Sequence, residues 1–223
     1  MPELPEVESI RRVLINSLIN QKLQKYKIFD QRINRFNSVN PRNLGVLLDI
    51  YRKGKILQFS FQINSIFFHL GMSGRLDLNG TKSKHTHGIF FFDKDVLLYD
   101  DIRKFGYIKI LKNDLASKQL STLGPDALSL SKLDKIFVMN KGNKSSTSIK
   151  KFLLNQKNLS GLGNIYVNEI LFLAGIHPYS LSFKLKETNW NDIFSNTKKV
   201  LRKAIKNNGT TLSDMTYVLP QGI

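Results

Sequence analysis

The residues whose types could do chemistry begin at the chain's own start, Met1-Pro2-Glu3. Methionine is generally removed before a small residue such as proline, and its removal would expose Pro2 as a secondary amine. An α-amino group titrates near ~8, so a useful fraction is neutral and nucleophilic at physiological pH. Condensed with an aldehyde or a sugar anomeric carbon, it gives an iminium ion, an electron sink for elimination. Glu3 could donate a proton to a ring or leaving-group oxygen if its pKa is raised. The plain alternative is an ordinary proline in second position. Lys55, in Arg52-Lys53-Gly54-Lys55, shares parity with Leu57 and Phe59. It is expected to point toward a covered face, where a lysine either snorkels outward or serves a site.

Three glycine-punctuated loops come next. His69-Leu70-Gly71-Met72-Ser73-Gly74 follows a strand pattern. It either presents Met72 to solvent, where an apolar side chain could wedge between bases, or tucks it into a core as filler. Asp100-Asp101-Ile102-Arg103-Lys104-Phe105-Gly106 combines a cation, an aromatic ring and a glycine. Arg103 could contact an orphaned base or a phosphate and Phe105 could stack; a surface cation–π turn is the alternative. Ser160-Gly161-Leu162-Gly163-Asn164-Ile165 opens a helix without Walker spacing, and with Lys150, Lys151 and Lys157 nearby it reads as a phosphate clamp or as simple capping. His85 and His87 flank Thr86; with no third ligand in view, a polar loop contacting phosphate fits better than a metal site.

These residues need a scaffold. Pro5 suits a first helical turn, Glu6 and Glu8 favour the positive end of a helix dipole, and Val7, Ile10, Val13, Leu14 and Leu18 recur at helical spacing. A helix packed on a core would hold the terminus in place. From about Gln21 to Leu111 the pattern is strands. Leu57, Phe59, Phe61 and Ile63 alternate with polar residues, and shorter candidates lie at 23–29, 44–51, 66–70, 88–92, 96–100 and 106–111. Short strands without intervening helices predict a β-sandwich or barrel. Leu123-Gly124-Pro125-Asp126 punctuates the chain, so domains are expected at 1–125 and 126–223. Beyond it lie helical segments at 149–154, at 165–173 (ending before Gly175 and Pro178), and from Ile193 to Ile205, closed by Gly209. Lys141 to Ser148 reads as a flexible linker.

Composition sets the partner class. Among 223 residues, 34 Lys and Arg face 17 Asp and Glu, a net charge of +17 spread along the chain. Such a balance suits a polyanion. The absence of cysteine excludes disulfides and thiolate metal sites. Neither a secretory signal nor an apolar run of about 18 residues is present, so a soluble, cytoplasmic protein with no membrane partner is expected.

Taken together, the order of these motifs resembles the formamidopyrimidine-DNA glycosylase family. The opening Met1-Pro2-Glu3-Leu4-Pro5-Glu6-Val7-Glu8 carries the resemblance, followed in order by Arg52 to Lys55, His69 to Gly74, Lys84 to His87, Asp101 to Gly106, Leu123 to Asp126, Gln156-Lys157, Gly161 to Glu169 and Ala174 to Pro178. It implies an α+β fold: an N-terminal helix and β-sandwich, followed by an all-α helix-two-turns-helix domain. The implied activity is base excision repair: removal of oxoguanine and formamidopyrimidines from damaged double-stranded DNA, then strand cleavage, by a monomer acting at the nucleoid. On this resemblance Pro2 attacks the anomeric carbon and forms a Schiff base, Glu3 assists sugar-ring opening, and Lys55 donates a proton in β-elimination. Met72, Arg103 and Phe105 fill the gap left by the flipped nucleotide. His85, Arg103, Lys150 and Asn164 contact phosphates; Ser145 stands where many members carry a basic contact.

The resemblance has alternatives and departures. Related endonuclease VIII enzymes, which prefer oxidised pyrimidines, share the proline but typically have Gly where Leu4 stands. The family normally ends in a four-cysteine finger holding one structural zinc, whereas this sequence stops at Ile223 with no cysteine. No cofactor is therefore expected within these residues. The sequence is expected to be either a fragment or a naturally shortened protein, in which case a weak enzyme or an inactive damaged-DNA-binding remnant is the rival reading. Gly209 to Asp214 matches the segment before the family's lesion-covering loop, with Ser213 where a basic residue is common, and Val218 to Gly222 begins that loop.

Overall fold

A computed structural model describes residues 2–34, 44–209 and 220. The chain opens with helix α1 (Leu4–Leu18), with Pro5 in its first turn. Strands β1 (Leu23–Ile28), β2 (Asp49–Lys53), β3 (Ile56–Ser60), β4 (Asn64–His69), β5 (Gly74–Leu78), β6 (Thr86–Phe92), β7 (Val96–Asp101) and β8 (Tyr107–Lys112) follow. They form two antiparallel four-stranded sheets, ordered β1-β6-β7-β5 and β2-β3-β4-β8.

Alternation explains the pairing. Leu57 and Phe59 of β3 are buried while Gln58 and Ser60 are half-exposed, so one face of that strand enters the sandwich. Phe68 stands at its centre. Its ring lies 4.8 Å from Phe59 in its own sheet, and 5.2 and 6.1 Å from Phe90 and Tyr99 in the opposite sheet. Phe67 points the other way yet is buried, because α2 (Asn113–Ser121) covers that outer face through Ala116 beside Ile56 and Leu111.

Beyond α2 the described residues form the helices α3 (Lys132–Asn143), α4 (Ile149–Leu154), α5 (Asn164–Leu173) and α6 (Glu187–Lys206). Trp190, fully buried, anchors this part against Phe152 and Phe194. After α5 the left-handed Gly175 (φ +65°) lets the Ile176 amide reach the Leu171 carbonyl and turn the chain. Helix α1 joins the two cores. Val7, Ile10, Leu14 and Leu18 lie in the sandwich cluster, whereas Leu4 lies in the helical one.

Several expectations need correction. The segment 141–148 is no flexible linker: Lys141 to Asn143 end α3, and the following residues are pinned to 180–183. Ser182 donates its amide to Thr147, Ile149 to Ser180, and Ser148 bridges Leu181. Its serines and threonines satisfy caps and turns, which is why the stretch looks polar. The alternation ending at Ile63 overruns β3, and Ile63 sits exposed in the turn before β4. Strand β5 and helices α2 and α3 are not announced by the sequence pattern. The reading of 210–214 lies outside the described residues, as does that of 218–222 except for Pro220, whose carbonyl accepts the Leu78 amide at 2.9 Å.

Candidate active site

The chain's first described residues are clamped between the two cores. Pro2 is buried, and the Leu4 amide donates to the Gly161 carbonyl at 3.1 Å. Gly161 takes φ +108° and comes so close that a Cβ there would lie 2.4 Å from Leu4 Cδ1. Glu3, 1% exposed, is the N-cap of α1. Its carboxylate crosses to α5: Oε2 accepts from the Gly163 amide at 2.6 Å and Oε1 from the Ile165 amide at 3.0 Å. Free amides and the helix dipole at the start of α5 thus meet a carboxyl group, and it belongs to a side chain of this chain.

Lys55 reaches the same place from another element. Lys53 pairs with Ile56, leaving Gly54-Lys55 as a two-residue hairpin turn with Gly54 at φ +58°. A Cβ added to Gly163 would meet both the Glu3 carboxyl (2.3 Å) and Lys55 Nζ (2.7 Å). Burial raises the Glu3 carboxyl above its ordinary range, opposed by the Lys55 charge and the α5 amides. Burial lowers the Lys55 amine, opposed by Glu3 and Glu6. The pair therefore combines a carboxyl inclined to keep its proton and an ammonium inclined to release one, the environment acid–base work requires.

Two carboxylates that the sequence reading does not assign to the site, Glu6 and Asp126, shape it. Glu6 accepts the Glu3 amide at 2.9 Å and the Tyr166 hydroxyl, tying α1 to α5. Its position three residues after the N-cap is a capping-box signature and was a readable signal. Asp126 accepts Arg52 Nη1 at 2.6 Å and Nη2 at 3.1 Å, and the Gly54 amide at 2.7 Å. Arg52 also donates to the Gly54 carbonyl and to Glu8. The turn bearing Lys55 is thus fixed from the helical side by a fork, a partnership 74 positions apart that no local pattern reveals.

The loop residues form a second group. Met72 (39% exposed) is presented to solvent and is not core filler, and Arg103 lies over the exposed Phe105 ring at 5.0 Å. Buried Asp101 staples both loops: it accepts the Ser73 hydroxyl at 2.6 Å, the Arg103 amide at 3.2 Å and the Gly106 amide at 2.8 Å. The His85 carbonyl accepts the Asp101 amide, bringing His85 to the same edge. His87 differs from the expectation of a phosphate-contacting loop residue. It is buried, with Nε2 on the Asp101 carbonyl at 2.9 Å, because β6 turns it inward.

On the helical side Asn164 is exposed in the first turn of α5, beside Glu3. Lys150 lies half-buried in the first turn of α4, and Ser145 pairs its hydroxyl with Thr147 at 2.9 Å. Among the described residues no group of three or more His, Cys, Asp or Glu could hold a metal, and the sequence contains no thiolate for a four-cysteine zinc site. The residues of this chain therefore do not fit that zinc.

Comparison with known proteins agrees with this architecture. Residues 1–108 match the formamidopyrimidine-DNA glycosylase N-terminal domain, and residues 123–216 the formamidopyrimidine-DNA glycosylase H2TH domain. The formamidopyrimidine-DNA glycosylase of Solibacter usitatus is 35% identical over 227 residues, covering 100% of this chain and 83% of that protein. That of Mycoplasma pneumoniae is 33% identical over 232 residues, covering 97% and 82%. A Lactococcus lactis enzyme in complex with DNA containing an abasic site superimposes with TM-score 0.86 at 31% identity, covering 96% of this chain and 82% of that one. A variant of the same enzyme with Fapy-dG-containing DNA gives 0.88 at 32% identity, covering 100% and 85%. On sequence and fold alike, this chain belongs to the formamidopyrimidine-DNA glycosylase family.

Proposed function

We propose that the chain excises oxidised purines from duplex DNA and then cleaves the strand at the resulting abasic site, as a monomer with its catalytic and DNA-binding domains meeting near Pro125-Asp126. The observation that carries this reading is the convergence of Glu3 and Lys55 on the α5 N-terminus, immediately beside Pro2. With Met1 removed, the Pro2 nitrogen attacks the anomeric carbon while the bond to the damaged base breaks. Glu3, its carboxyl raised by burial, protonates the sugar ring oxygen as the ring opens to the iminium. A water molecule then takes a proton from the adjacent sugar carbon, the C–H electrons form a C=C bond, and the C–O bond to the 3′ phosphate breaks, with Lys55 protonating the departing phosphate oxygen; hydrolysis of the imine by water frees Pro2. Met72, Arg103 and Phe105 occupy the vacated stack, and His85, Arg103, Lys150, Asn164 and Ser145 lie against phosphates. Kinship with DNA-bound relatives supports duplex DNA as the partner.

Borohydride trapping tests the reading. Wild-type chain on a duplex with oxoguanine opposite cytosine should give a covalent adduct, and Pro2→Gly should not. Absence of adduct with the wild type would leave a damaged-DNA-binding protein without this chemistry.

A further inference from the structure

Helix α6 has a second face that the site above does not use. It buries Trp190, Ile193, Phe194, Thr197, Val200, Leu201 and Ile205 and turns Lys198, Lys199 and Arg202 outward. Its apolar face packs in one cluster with α5, whose N-terminus holds Glu3. The basic face therefore looks away from that site.

This face is one wall of a groove. Lys135 of α3 stands on the other wall, and Phe194 lies beneath. Two adjoining hollows of about 290 and 410 Å³ share Lys135, Phe194, Lys198 and Arg202, and the first extends along the backbone from Ala127 to Ser131. Neither hollow is lined by a residue of the candidate site.

Charge there is of one sign. None of the four cations forms an ion pair among the described residues. Asp134, next to Lys135, is spent on capping α3: it accepts the Ser131 amide at 2.9 Å and hydroxyl at 2.7 Å. Glu187 and Asp192 lie earlier on α6, before the basic run. Lys198 and Arg202 are one helical turn apart, about 6 Å along the axis, while nucleotides in a strand climb about 3.4 Å each. The row thus spans about two nucleotide steps of a strand and suits an extended run of phosphates better than one compact anion, and the groove open to solvent suits a backbone and not a buried base.

We propose that the α3–α6 groove is a second, lesion-independent binding site for the phosphate backbone of duplex DNA, engaging a segment other than the one in the candidate active site. It would let the protein hold undamaged DNA while its other face works. The proposal does not depend on glycosylase chemistry, since its readout is binding.

The experiment uses the full chain and an undamaged duplex, with and without one molar equivalent of a short oxoguanine duplex, enough to fill the lesion site but not a second one. Undamaged duplex should still bind in the presence of the short one, with log affinity falling against log salt at a slope of about 3.6, roughly 0.9 for each of the four cations. Lys198→Glu/Lys199→Glu/Arg202→Glu should weaken that second binding by at least about ten-fold and leave affinity for the short duplex unchanged. The second duplex should also protect Lys198 and Lys199 of the wild type from acetylation, a readout independent of how the variant folds. Full competition by the short duplex, unchanged second binding in the variant, or absent protection would each overturn the proposal. Tighter protection by single-stranded RNA of equal phosphate count would overturn the assignment to duplex DNA.

Discussion

The Glu3 carboxylate and the Gly163 amide meet at 2.6 Å across 160 positions of sequence, and only a residue without a side chain leaves room for that contact. A methyl group on Gly163 would fall 2.3 Å from Glu3 Cδ. Gly163→Ala should therefore displace the carboxylate while the hydrophobic cores stay intact. Single-turnover excision should drop by about 10²-fold, since misplacement on the order of 1 Å costs that much. Melting temperature should change little; a rate within a few-fold of wild type would contradict the positioning.

The amine of Lys55 should set the alkaline limb of strand cleavage. Burial holds it below the ordinary lysine range near ~10.4, with Glu3 and Glu6 partly opposing. A proton donor is lost as pH rises through its pKa, so cleavage should fall earlier than free lysine would dictate. Glu6→Gln removes one negative charge that supports the ammonium, and should move this limb to still lower pH. A shift to higher pH, or none, in a rate–pH profile would contradict the electrostatics.

Acid should loosen the junction of α1 with the Lys55 hairpin. Burial works to raise Glu8, but hydrogen bonds from Arg11 and Arg12, with the charges of Arg11 and Arg52, hold it at about 2 against an ordinary 4.5. A carboxyl depressed in the folded state contributes stability above its unfolded pKa, and that stability is lost as pH falls through the folded value. The window is therefore 4.5 down to about 2. After allowance for solvent screening, about 2 kcal/mol should disappear across it, and Glu8→Gln should flatten that part of a denaturant-derived stability curve.

Asp101 should matter for opening the duplex more than for the chemistry. It is fully buried and joins the Met72 loop to the Arg103–Phe105 loop through Ser73, Arg103 and Gly106. Asp101→Asn keeps the shape but weakens these charge-assisted bonds. Affinity for a lesion duplex should fall about ten-fold. Trapping on a single-stranded abasic oligonucleotide, where no gap needs filling, should change little; equal loss on both substrates would show a general defect.

How much of this was legible in the sequence depended on distance along the chain. Pro5 and the spacing of Val7, Ile10, Leu14 and Leu18 announce α1, and the alternation around Leu57 and Phe59 announces β3, because each is a local pattern facing one core. Helix α3 escaped because Leu133, Ile136 and Phe137 are exposed, leaving it no clean apolar stripe. Strand β5 alternates as a strand should, but its Arg75 and Asp77 follow directly on a glycine-rich turn and read as more loop. Glu3 and Lys55 stood out as residue types, yet their meeting did not. It depends on Gly163 and on the Asp126 fork to Arg52 and Gly54, partners 160 and 72–74 positions away.

The central claim is that the nitrogen of Pro2 forms the covalent bond. Peptide mapping by mass spectrometry of the borohydride-reduced adduct with abasic DNA tests it most directly. One modified peptide is expected, beginning at Pro2, with the sugar on its terminal nitrogen. Modification of Lys55 or any other lysine, with the Pro2 peptide unmodified, would contradict it.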